Sequence, residues 1–128
     1  MLVDDFHGEY EWAVFRETMQ QVLPGREIID IPEDDPMLHI FFDLDDLVQI
    51  PGQRHVRMRS GRAPIVRMEG EPHWRGIYDD KGRLMVAANF NMDMGDAWEH
   101  ADDPFYPEPM TAQAYRLGVN YVIYALTH

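Results

Sequence analysis

The opening stretch, MLVDDFHGEYEWAVFRETMQQVL, constrains the fold more than any other part of the chain, because it reads as strand, acidic bend and helix in direct succession. Met1 to Asp5 is a short apolar run closed by two acids. From Glu9 to Leu23 the residues Trp12, Phe15, Met19, Val22 and Leu23 recur at helical spacing and predict one apolar stripe. Glu9 and Glu11 fall in the first turn, where the helix dipole favours negative charge, and Pro24-Gly25 ends the helix. A strand followed at once by a one-faced helix buries that face on a sheet, which predicts an α/β layered domain. A strand with no element before it is expected at a sheet edge.

The rest of the chain fits that frame. Ile28 to Ile31 predicts a second strand, and Met37 to Phe42 a short apolar element. His55, Arg57 and Arg59 alternate with Val56 and Met58 in a strand period, Ser60-Gly61 supplies a turn, and Ile65 to Met68 returns as partner. The clearest hairpin runs from Arg75 to Asn91 around Asp79-Asp80-Lys81-Gly82, where Gly82 can take positive φ. Residues 91–109 read as a long structureless loop of acids, prolines and aromatics, a kind of segment that is often functional. Thr111 is placed to cap a final helix to about Leu126, apolar nearly all round and so expected to be buried on most sides.

A length of 128 residues predicts one domain spanning 1–128 with one core. No apolar run approaches a membrane span, and MLVDDF lacks the basic and apolar regions of a signal peptide, so a cytoplasmic location is the default expectation. There is no cysteine, which excludes disulfides, thiolate nucleophiles and cysteine metal ligands. Ser60 is the only serine, and threonine stands at 18, 111 and 127 alone, so serine-type acyl transfer has almost no candidates. The net charge of −12 argues against nucleic acid as a partner.

Three groups of residues could carry chemistry. In the opening bend, Asp4 and Asp5 end a strand, and Asp5 and His7 could share a proton, with Glu9 joining if the turn folds back; otherwise Asp5 or His7 caps the helix. In the long loop, Asn91, Asp93, Asp96, Glu99 and His100 lie close together. Their spacing matches a calcium loop poorly, since glycine comes one place early and no glutamate closes the twelfth position. Glu99 and His100 could instead join Asp93 around zinc or manganese, the loop could be pinned by Asx-turns with Trp98 as anchor, or a sugar or other small polar ligand could lie against Trp98, Trp74 or Tyr106. No resident metal or cofactor is expected. Third, the arginines at 54, 57, 59, 62, 67 and 75 could bind anions, with Arg57, Arg59 and Arg75 the foremost candidates, or neutralise the protein's own acids within a chain or across a dimer. His39, His55 and His73 read as isolated.

Three stretches, VDDFHGEYEW, EPHWRGIYDDKGRLMVAANFNMDMGDAWEHAD and YRLGVNYVIYALTH, resemble the bacterial family catalogued as domain of unknown function 4159, over nearly the whole chain. The resemblance implies a class I glutamine amidotransferase-like scaffold, a flavodoxin-like three-layer αβα sandwich. Family domains usually begin with further βα units before the strand that is Met1 to Asp5 here, so the chain is expected to be a compact version lacking them or the C-terminal part of a larger family domain. Members also occur in exported or membrane-attached proteins, which sets a periplasmic location beside the cytoplasmic one. The amidotransferase-like elbow carries a catalytic cysteine, whereas Asp5-Phe6-His7-Gly8 has no thiol. These considerations favour a non-catalytic domain that binds a small molecule or sugar, with homodimerisation or a role beside other domains as a rider. The alternatives are a hydrolase using carboxylates and histidine, with or without a metal, and a structural protomer whose early strand completes a sheet with a second copy.

Overall fold

The computed structural model describes residues 1–59, 62–66 and 70–128, with the side chains of 57–69 outside that description. The first strand, β1 (Leu2–Phe6), leads through His7 into helix α1 (Gly8–Val22). Then come β2 (Ile29–Asp30), α2 (Pro36–His39), a single 3₁₀ turn (Gln53–His55), and the paired strands β3 (Val56–Arg59) and β4 (Arg62–Val66). Strands β5 (His73–Tyr78) and β6 (Leu84–Phe90) and helices α3 (Met94–Glu99) and α4 (Glu108–Thr127) complete the order.

Four strands form a mixed sheet in the order β1-β6-β5-β2, which puts β1 at an edge, as expected. β1 runs parallel to β6, while β6–β5 and β5–β2 are antiparallel. Helices lie on both faces. Val86, Ala88 and Phe90 of β6 meet Phe15, Met19 and Trp12 of α1. The opposite face carries the larger core, where Met37, Leu38, Leu44, Ile50, Met92 and Met94 pack with Ala114, Leu117 and Tyr124 of α4. The alternation of side chains along β6 is what lets one strand serve both layers.

Several expectations need correction. The 91–109 stretch is not structureless, for α3 lies within it. The last helix does not start at Thr111 but at Glu108, behind Pro107; Thr111 sits inside the helix with its side chain buried. Pro109 in the first turn forfeits no intrahelical bond, which is why proline is tolerated there. Nor is α4 buried on most sides: Tyr115, Val122 and Leu126 are exposed. Packing on a layer buries only a stripe, here Ala114, Leu117 and Tyr124, however apolar the other faces are. Val22, expected in the stripe of α1, is exposed for the same reason.

The segment between α2 and the 3₁₀ turn has no regular ladder, and side chains of α4 take the ladder's place. Asn120 accepts from Phe42 N at 3.0 Å and donates to Phe42 O at 2.9 Å. Gln113, two turns earlier, accepts from Val48 N at 2.8 Å and donates to Val48 O at 2.7 Å. Each carboxamide mimics a strand partner and satisfies backbone groups that burial would otherwise penalise. This docking carries the chain to Ile50, Pro51 and Gly52, all buried, beside the ends of β1 and β6.

Candidate functional site

β1 and β6 end side by side, and each carries a left-handed residue there: Asp5 at φ 56°, in the irregularity of β1 between Val3 and Phe6, and Asn91 at φ 59°, just past the end of β6. Asp and Asn tolerate that region better than most non-glycine residues, at some cost in strain. Asp5 N donates to Met92 O and Asn91 N to Phe6 O, so the two bends are stitched together. Asn91 Oδ1 then accepts from Gly8 N at 3.0 Å, and Glu11 Oε2 from His7 N at 2.6 Å. These two side chains cap α1, and neither Asp5 nor His7 does so through its side chain, contrary to expectation. Asn91 was unforeseen in this role because its target lies 83 positions away.

Asp4 points to α3. Its Oδ2 accepts from Met94 N at 2.6 Å and Gly95 N at 3.1 Å, while Oδ1 is buried with no hydrogen-bond partner among the described residues. Asp93 caps the same helix, with Oδ1 accepting from Asp96 N at 2.8 Å. Asp96 Oδ2 takes Gln53 N at 2.8 Å. Gly52 lies among these groups: a Cβ placed there would meet Asp93 Oδ2 at 3.1 Å, His55 Nδ1 at 3.3 Å and Asp96 Oδ2 at 3.4 Å. The absence of a side chain at Gly52 is thus what lets the three approach one another.

The electrostatics follow from the crowding. Burial raises the Asp4 carboxyl to about 6 against the donated backbone bonds, with Asp5 pushing it further up. Burial also raises Asp93, to about 7, and the charges of Asp5, Asp96 and Asp4 add to that. His7 is pushed the other way, first by burial, then by Arg54 and His55. Its Nδ1 stands 4.0 Å from Asp5 Oδ1 and 3.4 Å from an Arg54 nitrogen, its Nε2 is buried without a hydrogen-bond partner among the described residues, and its ring is 5.4 Å from that of His55. Tyr106 closes the far side by donating its hydroxyl to Pro51 O.

Asp4, Asp5, His7, Asn91, Asp93 and Asp96 therefore stand together at the strand ends. Glu9 is exposed on α1. Trp98 packs over Gly118 of α4, where a Cβ would come within 3.0 Å of its ring. Glu99 and His100 sit on the outer side of α3, and their ligand atoms and one of Asp96 lie within 4.8 Å of each other, a set that could hold a metal ion. Arg75 donates to Asp30 at 3.0 Å with its guanidinium 4.3 Å from the centre of the Trp12 ring, an internal ion pair. The side chains of Arg57 and Arg59, and the turn expected at Ser60-Gly61, lie outside the described residues. His55, expected to be isolated, faces His7 and Asp93. The participation of Gly52, Gln53, Arg54, His55 and Tyr106 had one sequence signal, the Pro51-Gly52 turn next to a basic pair.

Fold and site together define an α/β protein with a carboxylate-rich, histidine-flanked site at the ends of two parallel strands. The family model described as "Domain of unknown function (DUF4159)" matches residues 1–126, and the chain belongs to that family. No curated protein and no solved structure matches it. No helix among the described residues is long and apolar enough to cross a membrane.

Proposed function

We propose that the protein is a binding domain for a small polar ligand, of the sugar or polyhydroxy class, seated where Asp4, Asp5, Asp93 and Asp96 meet His7 and Arg54, on a flavodoxin-like, amidotransferase-like scaffold. The parallel β1–β6 pair with α1 on one face and α4 on the other supports the scaffold assignment. The observation that carries the function is the pairing of two buried polar atoms without a hydrogen-bond partner among the described residues, Asp4 Oδ1 and His7 Nε2, with bent strand ends. Open α/β sheets take ligands beyond the carboxyl ends of their strands, and unmet polar groups there are satisfied by an incoming hydroxyl. Carboxyls raised toward neutrality can each donate or accept, which suits ligands that do both. A panel of monosaccharides and polyols screened by thermal shift tests this. A specific ligand should raise the melting temperature of the wild type and not of Asp93→Ala, and a panel without any hit counts against the reading.

A carboxylate and histidine hydrolase is the second reading, favoured by Asp4 and Asp93 raised to about 6 and about 7 beside exposed Asp5. One protonated and one ionised carboxyl are what general acid–base chemistry needs. Turnover of the ligand found in the screen would decide for it. Homodimerisation is supported by the edge position of β1 and by an apolar groove of about 260 Å³ between Met1, Leu2 and Val122, and light scattering across concentrations tests it.

A further inference from the structure

We propose that α4 is the interface of a homodimer, its outward stripe of Tyr115, Val119, Val122 and Leu126 packing antiparallel against the same stripe of a second copy. The inference rests on the homodimer reading above and assigns it an element, a register and a symmetry. One side of α4, with Ala114, Leu117 and Tyr124, is buried in the core. On the other side Tyr115 is 49% exposed, Val119 36%, Val122 60% and Leu126 81%. Steps of four, three and four residues keep these side chains on one line of a helix, the spacing of a coiled-coil seam. Val122 also borders the apolar groove of about 260 Å³ that reaches Met1, Leu2 and Ala87, and no lining side chain of that groove is charged among the described residues. Stripe and groove are therefore continuous.

Charge names the occupant. The chain carries −12, so two copies repel each other wherever acids meet acids. From Pro109 to His128 there is no acidic residue, and Arg116 is the only lysine or arginine. Exposed apolar residues elsewhere stand near carboxylates: Tyr10 and Val14 share α1 with Glu9, Glu11 and Glu17, and Phe105 follows Asp103. The outward face of α4 thus admits a second acidic chain without like-charge repulsion, while a basic partner is drawn to the acidic faces instead. The spacing is also self-complementary. A two-fold axis passing midway between Asn120 and Tyr121 sets Tyr115 against Leu126 and Val119 against Val122 of opposing copies. Each contact then occurs twice, as an isologous interface requires. The small valines at the centre let the helix axes approach closely, and the larger residues close both ends. With Met1 and Leu2 at the rim, the stripe offers roughly 500 Å² per copy, about 1,000 Å² in all, the lower bound for a specific interface. Such an area fits a dimer with a dissociation constant on the order of 10–100 μM.

Sedimentation equilibrium of the full chain from roughly 5 to 500 μM tests the assignment. A shift from monomer to dimer mass is expected. Association should strengthen severalfold as salt rises from about 20 to 200 mM, because salt screens the repulsion between acidic chains and leaves apolar contact intact. Val122→Glu should weaken association by about a hundredfold, since it brings two carboxylates into an apolar seam; the position is exposed, so circular dichroism should be unaltered. Leu126→Lys, at the more exposed end of the stripe, should weaken it by about tenfold. The double variant Val119→Glu/Val122→Arg tests the register. Antiparallel packing sets each new carboxylate against a new guanidinium and should restore association to within about tenfold of the wild type, whereas parallel packing sets like against like. Val14→Glu, at an outward position of α1, should associate like the wild type. A chain that stays monomeric throughout overturns the proposal together with the homodimer reading. Dimers that persist unweakened in Val122→Glu and Leu126→Lys overturn it alone and leave the β1 edge as the interface. A double variant that fails to associate overturns the antiparallel register, and a monomeric Val14→Glu overturns the choice of helix.

Discussion

Asp4 and Met94 stand 90 positions apart, yet the Asp4 carboxylate accepts the Met94 backbone N–H at 2.6 Å and that of Gly95 at 3.1 Å. A residue in the middle of the first strand thereby holds the first turn of α3. The negative charge also meets the positive end of the helix dipole, which offsets part of its burial. Structural support and proposed binding chemistry are therefore vested in one side chain, Oδ2 serving the first and Oδ1 left for the second.

Replacing Asp4 by alanine should separate α3 from β1. Two buried N–H groups lose their acceptor, at about 1–3 kcal/mol, partly offset because a carboxyl held near 6 no longer has to be ionised. The net loss in urea denaturation should be about 1–2 kcal/mol. Asp4→Asn, which retains an oxygen for the same bonds, should lose less than half of that.

Asp93 should make stability fall as pH rises. Its folded value, about 7 against an ordinary 3.8, means that the folded chain holds the proton more tightly than the unfolded one. The contribution is fully favourable below about 4 and is lost as pH climbs through about 7. Asp4, raised to about 6, acts in the same sense over a narrower window. Asp93→Asn keeps an oxygen to cap α3 and removes the ionisation. It should match the wild type near pH 4 and exceed it at pH 8 by about 1–2 kcal/mol, allowing for screening in an open acidic cluster. Melting curves from pH 4 to pH 8 check this, and an unchanged slope in the variant would refute it.

These groups show where sequence was informative and where it was silent. The opening strand and α1 were legible because their period is local, and the hairpin because Asp79 holds the Lys81 and Arg83 N–H groups at 2.8 and 2.9 Å. The acids of the bend and of the Asn91–His100 stretch were legible as residue types. α3 was not, since six residues containing a glycine have little helix signal of their own and depend on a carboxylate from β1. His55 looked isolated because its neighbours His7 and Asp93 are brought to it by the docking of the 40–52 segment on α4. That docking rests on two carboxamides inside a helix, which no turn or period rule detects.

Gly52 gives a way to perturb the site and spare the fold. Its φ of −64° is open to any residue, so alanine adds no backbone strain. The new methyl would press on Asp93 Oδ2 at 3.1 Å and His55 Nδ1 at 3.3 Å, and these must yield by a few tenths of an ångström, while Asp96 Oδ2 at 3.4 Å is in ordinary contact. Gly52→Ala should melt within a few degrees of the wild type while losing about tenfold in affinity for the ligand of the strand-end site, since small displacements of positioning groups are costly. A variant that binds normally would mean that the carboxylates around Gly52 do not touch the ligand.

Asn120 is the most demanding case, because it is fully buried and its amide is spent on one residue, Phe42. Alanine would leave a donor and an acceptor of Phe42 unmet and open a small void, at about 2–4 kcal/mol. Aspartate keeps the acceptor for Phe42 N, loses the donor for Phe42 O and buries a charge without a counter-ion, so it should be worse than alanine above neutral pH and recover as the carboxyl protonates. Gln113→Ala removes the same pattern of bonds from Val48, a residue that is itself exposed so that water can substitute, and should cost about half as much as Asn120→Ala. Negligible losses from both alanine variants in denaturant titrations would show that the 40–52 segment is held by its apolar contacts and not by the carboxamides. In that case Asn120→Leu, which trades the bonds for apolar contact in the same space, should fold as stably as the wild type.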